Sequence, residues 1–162
     1  MTIAPVRRET EVRQDPARAF ALFTGRMVDW WRRGTPGKAP PVAIVVEPRV
    51  GGRWFERDAD GVETQWGLVK AWEPPAPGAA SGRLQLRWQL DAQFRFDPAV
   101  DTTVDIVFTA IAGGGTRVTL EHRELERYGD AAAHVASRIS EGWPQQLAGF
   151  AAYAGAHDEE DA

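Results

Sequence analysis

Hydrophobic and polar positions alternate most cleanly across "RLQLRWQL". There Leu84, Leu86, Trp88 and Leu90 fall on one side of an extended chain, and Arg83, Gln85, Arg87 and Gln89 on the other. Successive strand side chains point to opposite faces, so this pattern calls for one dry face and one wet one, as in an antiparallel sheet. "TTVDIVFTAI" and "TRVTLEHREL" repeat it, joined by "AGGG". Upstream, "VRRETEVRQ" reads as a first strand and "VAIVVEP" as a short one closed by Pro48. "GRWFERD" follows Gly51-Gly52, "DADG" is a hairpin turn, and "ETQWGLVKAW" runs to Glu73-Pro74-Pro75. The Gly51-Gly52 pair reads as a bend or bulge that lets a sheet curl, and Gly67 as a space for a ring or ligand beside Trp66.

The period changes at both ends of this strand-rich stretch. Asp15-Pro16 is a helix start: a side-chain acceptor at the cap, then a proline whose missing N–H costs nothing in the first turn. Ala19, Phe20 and Phe23 form the buried face, Gly25 ends the helix, and "MVDWW" makes a second short one. "RRGTPGKAPP" and "PPAPGAASG" are loops. From Asp130 to about Ala154, the residues Val135, Ile139, Trp143, Leu147, Phe150 and Ala154 make one apolar helical stripe. Pro144 within it removes a backbone bond, which predicts a kink near Ser140. A strand, two short helices, some six further strands and one long amphipathic helix predict an α+β helix-grip fold. In it a curved antiparallel sheet of about seven strands wraps a C-terminal helix across residues 1–155, with a disordered acidic tail at 156–162.

Composition narrows the function by exclusion. The 162 residues suit one domain. The four acids Asp158, Glu159, Glu160 and Asp161 account for the whole formal net charge of −4. A neutral body without a basic cluster is a poor match for nucleic acid or an anionic membrane. There is no apolar run long enough to span a bilayer and no secretory leader pattern, so a cytoplasmic protein is expected. With no cysteine, thiolate chemistry and cysteine-bound zinc are out, and His122, His134 and His157 lack metal-ligand spacing. No metal and no cofactor are expected. None of the serines sits in a nucleophile elbow, and "GGGT" leads into a strand rather than a helix, so it is a turn and not a phosphate cradle.

What remains is aromatic. Seven tryptophans in a chain this short is rich. Trp54, Trp66, Trp72 and Trp88 fall on strands, Trp143 on the last helix, and Trp30 and Trp31 on the short helix pair. Indole rings beside a curved sheet suit either a packed core or the wall of a pocket for a flat ligand. Trp54, Trp66, Trp88, His122, Ile139, Trp143 and Leu147 are the candidate ligand-binding residues, with Trp88 and Trp143 foremost. Alternation places His122 inward with Val118 and Leu120, while Glu121 and Arg123 face out, and Glu56 shares a face with Trp54. His122 and Glu56 are the candidate catalytic residues, as polar contacts or a proton shuttle in an apolar pocket. The alternative is that His122 satisfies a backbone carbonyl and Glu56 pairs with an arginine such as Arg53 or Arg87.

"VGGRWFERDADGVETQWGLVKAWEPP", "RLQLRWQ", "VTLEHREL" and "GWPQQL", taken in this order, resemble the activator-of-heat-shock-ATPase-like branch of the START and birch-pollen-allergen superfamily (SRPBCC). The resemblance runs from Val6 to Tyr153. It implies the helix-grip fold and an internal cavity for hydrophobic small molecules, but not one activity, because relatives include ligand carriers, cyclases and aromatases, and chaperone-stimulating domains. The leading expectation is binding of a hydrophobic or aromatic small molecule. A cyclase, dehydratase or aromatase acting through His122 and Glu56 comes second, and a chaperone-interaction module third. Assembly as a homodimer is left open.

Overall fold

The computed structural model describes residues 2–32 and 34–158. The acidic tail expected over 156–162 therefore lies outside the described residues from position 159 onward.

The seven strands are β1 (Val6–Val12), β2 (Pro41–Val46), β3 (Arg53–Asp58), β4 (Glu63–Glu73), β5 (Ser81–Trp88), β6 (Thr102–Ala110) and β7 (Thr116–Arg123). They form one antiparallel sheet in the order β1-β7-β6-β5-β4-β3-β2. Apart from β1, which crosses over to pair with β7, neighbours in the sheet are neighbours in sequence. The register of β2, β3 and β4 slips at Pro41/Ala43, Trp54/Phe55 and Val69/Ala71. Such bulges raise local twist and bend a strand, and they curl this half of the sheet over its inner face. Gly51, at φ +82, turns the chain so that its N–H donates to the Val69 carbonyl at 2.8 Å, beside the bend expected at Gly51-Gly52.

The helices cover that face. α1 (Pro16–Gly25) starts as the sequence requires, with the Asp15 carboxylate accepting from the Arg18 N–H at 2.8 Å and proline in the first turn. α2 (Met27–Trp30) follows at once, and α3 (Ala132–Ala156) is entered through a 3-10 segment, Leu125–Ala131. The α3 stripe is buried from Val135 to Ala154. The helix-grip fold stands.

Three local expectations change. α3 runs without interruption through Gly142 and Pro144. Proline leaves the carbonyl four residues back without its helical donor, and here the Arg8 guanidinium of β1 supplies one, reaching the Ser140 carbonyl at 3.2 Å and Ser140 Oγ at 2.6 Å. Gly67 makes no room for a ligand: a Cβ there would lie 1.8 Å from the Arg87 carbonyl oxygen and 3.4 Å from the Trp54 ring, so the glycine permits close approach of β4 and β5. Gln89, placed on the wet face by alternation, is buried because β5 ends at Trp88 and the chain turns inward; its amide donates to the Pro98 carbonyl at 3.2 Å.

Candidate functional site

Between α3, the 89–101 connection and the chain after α2 lies a cavity of about 390 Å³. Its aromatic walls are Trp31, Trp88, Phe94, Tyr128 and Trp143, with Val135 and Ile139 beneath them and the exposed Arg138 and Glu141 at the mouth. Each wall is held by a separate local device. Trp88 is the last residue of β5, on the dry side of the alternation. Phe94 sits in a left-handed backbone (φ 63), a costly conformation for a bulky residue. The Asp91 carboxylate fixes that turn by accepting from the N–H groups of Gln93 and Arg95 at 2.9 and 3.0 Å. The Phe94 ring then stands 6.2 Å from that of Trp88.

Trp31 is held from below. The Arg32 N–H donates to Gln146 Oε1 at 2.7 Å, and Gln146 Nε2 donates back to the Arg32 carbonyl. Gly149, one turn of α3 further on, admits the Trp30 carbonyl, which a Cβ there would meet at 2.5 Å. A two-way amide clamp and a missing side chain thus seat the end of α2 on α3. Trp31 also borders a second, more polar cavity of about 470 Å³ lined by Val28, Thr35, Lys38, Pro40 and Ile44 among others.

Behind the main cavity runs a chain of hydrogen bonds. Trp143 Nε1 donates to His122 Nδ1 at 3.2 Å, and His122 Nε2 lies 2.8 Å from Thr102 Oγ1. Because Nδ1 accepts, the ring proton belongs on Nε2, which donates to Thr102. Burial pushes His122 down to about 3, so the imidazole is neutral across the physiological range. Tyr128 donates to the Leu90 carbonyl at 2.5 Å. Burial pushes its phenol up to about 12, against hydrogen bonds with Thr102 and Trp88 that act the other way.

The structure separates the residues singled out in the sequence. Trp88, Ile139 and Trp143 line the cavity. His122 is fully buried one layer behind it, joined to its wall through Trp143. Trp54, Trp66 and Leu147 are buried elsewhere in the core and are not among the lining residues. Trp54 Nε1 points at Met27 Sδ, 3.3 Å away. Glu56 is buried and accepts from Trp66 Nε1 at 2.9 Å, the Gly37 N–H at 2.9 Å and Thr35 Oγ1 at 3.1 Å. It ties the 35–37 loop to the sheet, whereas Arg53 pairs with Glu47 and Glu63, and Arg87 with Asp101. His122 and Glu56 are thus anchored in different places by different partners. Trp31, Phe94 and Tyr128 were missed as wall residues. The "DAQFRFDP" stretch carries a faint signal, two phenylalanines among turn formers, but no periodicity that would assign either ring a side.

Among the described residues no cluster of histidines and carboxylates could hold a metal, and no helix is long and apolar enough to cross a membrane. No curated protein matches the chain. Solved structures do. The anthrahydroquino-gamma-pyrone synthase Txn09 is 32% identical over 93% of this chain and 96% of its own, with a TM-score of 0.61. The self-sacrificing resistance protein CalC from Micromonospora echinospora is 31% identical over 96% of this chain and 95% of its own, with a TM-score of 0.66. An AHSA1 protein from Silicibacter pomeroyi, 23% identical over 93% of this chain and 96% of its own at a TM-score of 0.52, shares the fold. With the model of the "Activator of Hsp90 ATPase homolog 1-like protein" family matching residues 14–155, the chain belongs to that family.

Proposed function

We propose that this protein binds a flat, largely apolar aromatic small molecule in the cavity between α3, the 89–101 connection and Trp31. The observation that carries the reading is the cavity wall. Three indoles, a phenyl and a phenol surround about 390 Å³, within the range of small-molecule sites. Their main polar groups are turned away into fixed partners: the Trp143 N–H to His122, the Tyr128 hydroxyl to Leu90 and the Gln146 amide to Arg32. Such a wall offers area and stacking rather than many hydrogen bonds, which suits an aromatic guest. His122 serves here as a positioning residue for Trp143. Calorimetric titration with fluorene, a rigid three-ring hydrocarbon, tests the proposal. One-site binding that weakens at least about tenfold in Trp88→Leu and Trp143→Leu, each truncating a ring anchor, is expected; no heat of binding, or binding unaffected by both changes, would refute it.

A second reading, turnover of the bound molecule, is favoured by one comparison, the 32% identity to a protein named as a synthase. In this chain Tyr128 and Asp91 are the titratable groups lining the cavity behind the mouth; Asp91 is engaged by the N–H groups of Gln93 and Arg95, and Tyr128 donates to the Leu90 carbonyl. With its phenol held near 12, Tyr128 would act as a hydrogen-bond donor or weak acid and not as a base at neutral pH. Loss of product formation in Tyr128→Phe with binding intact would support that role.

A further inference from the structure

Resting on the binding reading above, we infer that the guest carries an acceptor oxygen on its ring system, an aromatic ketone or quinone-type carbonyl, and that Trp31 Nε1 is the donor that selects it. Four of the seven indole N–H groups donate to a defined partner. Trp30 donates to the Phe23 carbonyl at 3.2 Å, Trp54 to Met27 Sδ, Trp66 to Glu56 and Trp143 to His122. Trp88 is held instead by ring contacts with Trp54, His122 and Trp143 at 5.8, 5.1 and 5.8 Å, and Trp72 is half-buried against Phe20, outside the cavity lining. Among the described residues Trp31 Nε1 is the one indole nitrogen that is buried without a partner, although its ring forms part of the cavity wall. A buried donor without an acceptor is a standing cost that an incoming oxygen removes.

The ring packs on Trp66 at 4.8 Å and on Trp143 at 5.9 Å, and its remaining surface borders open volume. Trp88 and Trp143 are buried, and Trp143 is tied through its N–H, whereas Trp31 is half-buried and borders open volume on two sides. Its backbone is fixed, because the Trp31 N–H donates to the Met27 carbonyl at 2.8 Å and the Gln146 clamp holds the next peptide. The inference requires a small turn of the side chain about this fixed backbone to present the covered N–H to the guest. Among the described lining residues behind the mouth, the hydroxyl and amide donors are already engaged: Tyr128 points to Leu90, Gln146 to Arg32, and Gln145 to the Glu141 carbonyl at 3.2 Å. One donor over an aromatic box discriminates a carbonyl from a methylene at a single position on the guest.

Two rigid three-ring probes that differ at that position, 9-fluorenone and fluorene, test this. Wild-type protein is expected to bind fluorenone about tenfold more tightly, equivalent to about 1.4 kcal/mol. In Trp31→Phe the fluorenone-to-fluorene affinity ratio should fall to within about twofold of one, whatever affinity both probes lose together with the indole ring. A second readout needs no variant: in wild-type protein fluorenone should give the Trp31 Nε1–H proton a downfield hydrogen-bond shift, whereas fluorene should shift it through its ring current alone and not downfield. Equal binding of the two probes by the wild type, or a preference that survives in Trp31→Phe, overturns the inference while leaving aromatic binding in place. Binding of neither probe sinks the binding reading and this inference with it.

Discussion

Aromatic rings crowd both ends of the sheet's inner face, yet the two ends are built differently. Where α1 covers the sheet, Phe23 meets Phe108 and Phe150 edge to face at 5.5 and 5.1 Å, and Phe20 meets Phe108 at 5.1 Å. These rings are almost fully buried and interlock. At the other end α3 meets the sheet through Trp143 on His122 and Ser140 on Arg8 and leaves a gap beside them. The 89–101 connection and the 3-10 segment border that gap, and Trp88 and Trp143, which meet edge to face at 5.8 Å, both line it. The solid end is held by packing. The hollow end is held by pins: His122 on Trp143, Thr102 under His122, Tyr128 on Leu90, Gln146 on Arg32. An aromatic wall facing empty volume loses contacts it would have in a packed core, and hydrogen bonds behind the wall keep it in position instead.

Four changes would break or sharpen this contrast. The largest effect belongs to the solid end. Phe23→Ala removes a ring touching Trp30, Phe108 and Phe150, and should cost about 3–5 kcal/mol in urea unfolding. A loss below about 1 kcal/mol, the cost of a modest core trim, would show that this end is not the packed one.

His122 should give the hollow end a pH signature. The folded protein holds the imidazole down to about 3 from an ordinary value of 6.5. The unfolded chain therefore takes up a proton that the folded chain refuses. The contribution is complete above pH 6.5 and is lost as pH falls toward 3, at a limiting slope of about 1.4 kcal/mol per pH unit. Wild type minus His122→Gln, compared by urea unfolding between about pH 6.5 and 5, should show that slope; parallel pH dependences would contradict the buried, neutral assignment.

Phe94→Gly separates stability from binding. Glycine accepts the left-handed backbone at no steric cost, so unfolding free energy should stay within about 1 kcal/mol of wild type. Affinity for fluorene should fall several-fold by calorimetry as one wall is lost. The smallest effect is that of Arg8→Ala. It strips the donor from the Ser140 carbonyl that Pro144 leaves unpaired, costing about 1 kcal/mol and speeding amide exchange in the middle of α3.

The architecture was written plainly in the chain because it follows from period. Alternation through β5, β6 and β7, the Asp15-Pro16 cap and the Val135-to-Ala154 stripe each name a face, and each face is buried where it should be. The cavity was legible only in part, because period gives the side of a strand and not the depth beneath it. Trp66 and Trp88 both point inward and both are buried, but only Trp88 borders the gap. Along α3 the same stripe serves two ends: Ile139 and Trp143 face the hollow, while Leu147 and Phe150 face the packed rings. Phe94, Tyr128 and Trp31 are placed by a left-handed turn, a 3-10 segment and a side-chain clamp, none of which leaves a repeating pattern in sequence. Arg8 carries the same lesson for Pro144, since its donor comes from a strand distant in sequence.

The difference between the two ends is most directly measured by following the indole N–H resonances of uniformly 15N-labelled protein during titration with fluorene. Saturable shifts confined to Trp31, Trp88 and Trp143, with Trp30 and Trp54 unmoved, are the expected result. Shifts centred on Trp30 and Trp54, or none that saturate, would contradict a binding cavity at the hollow end.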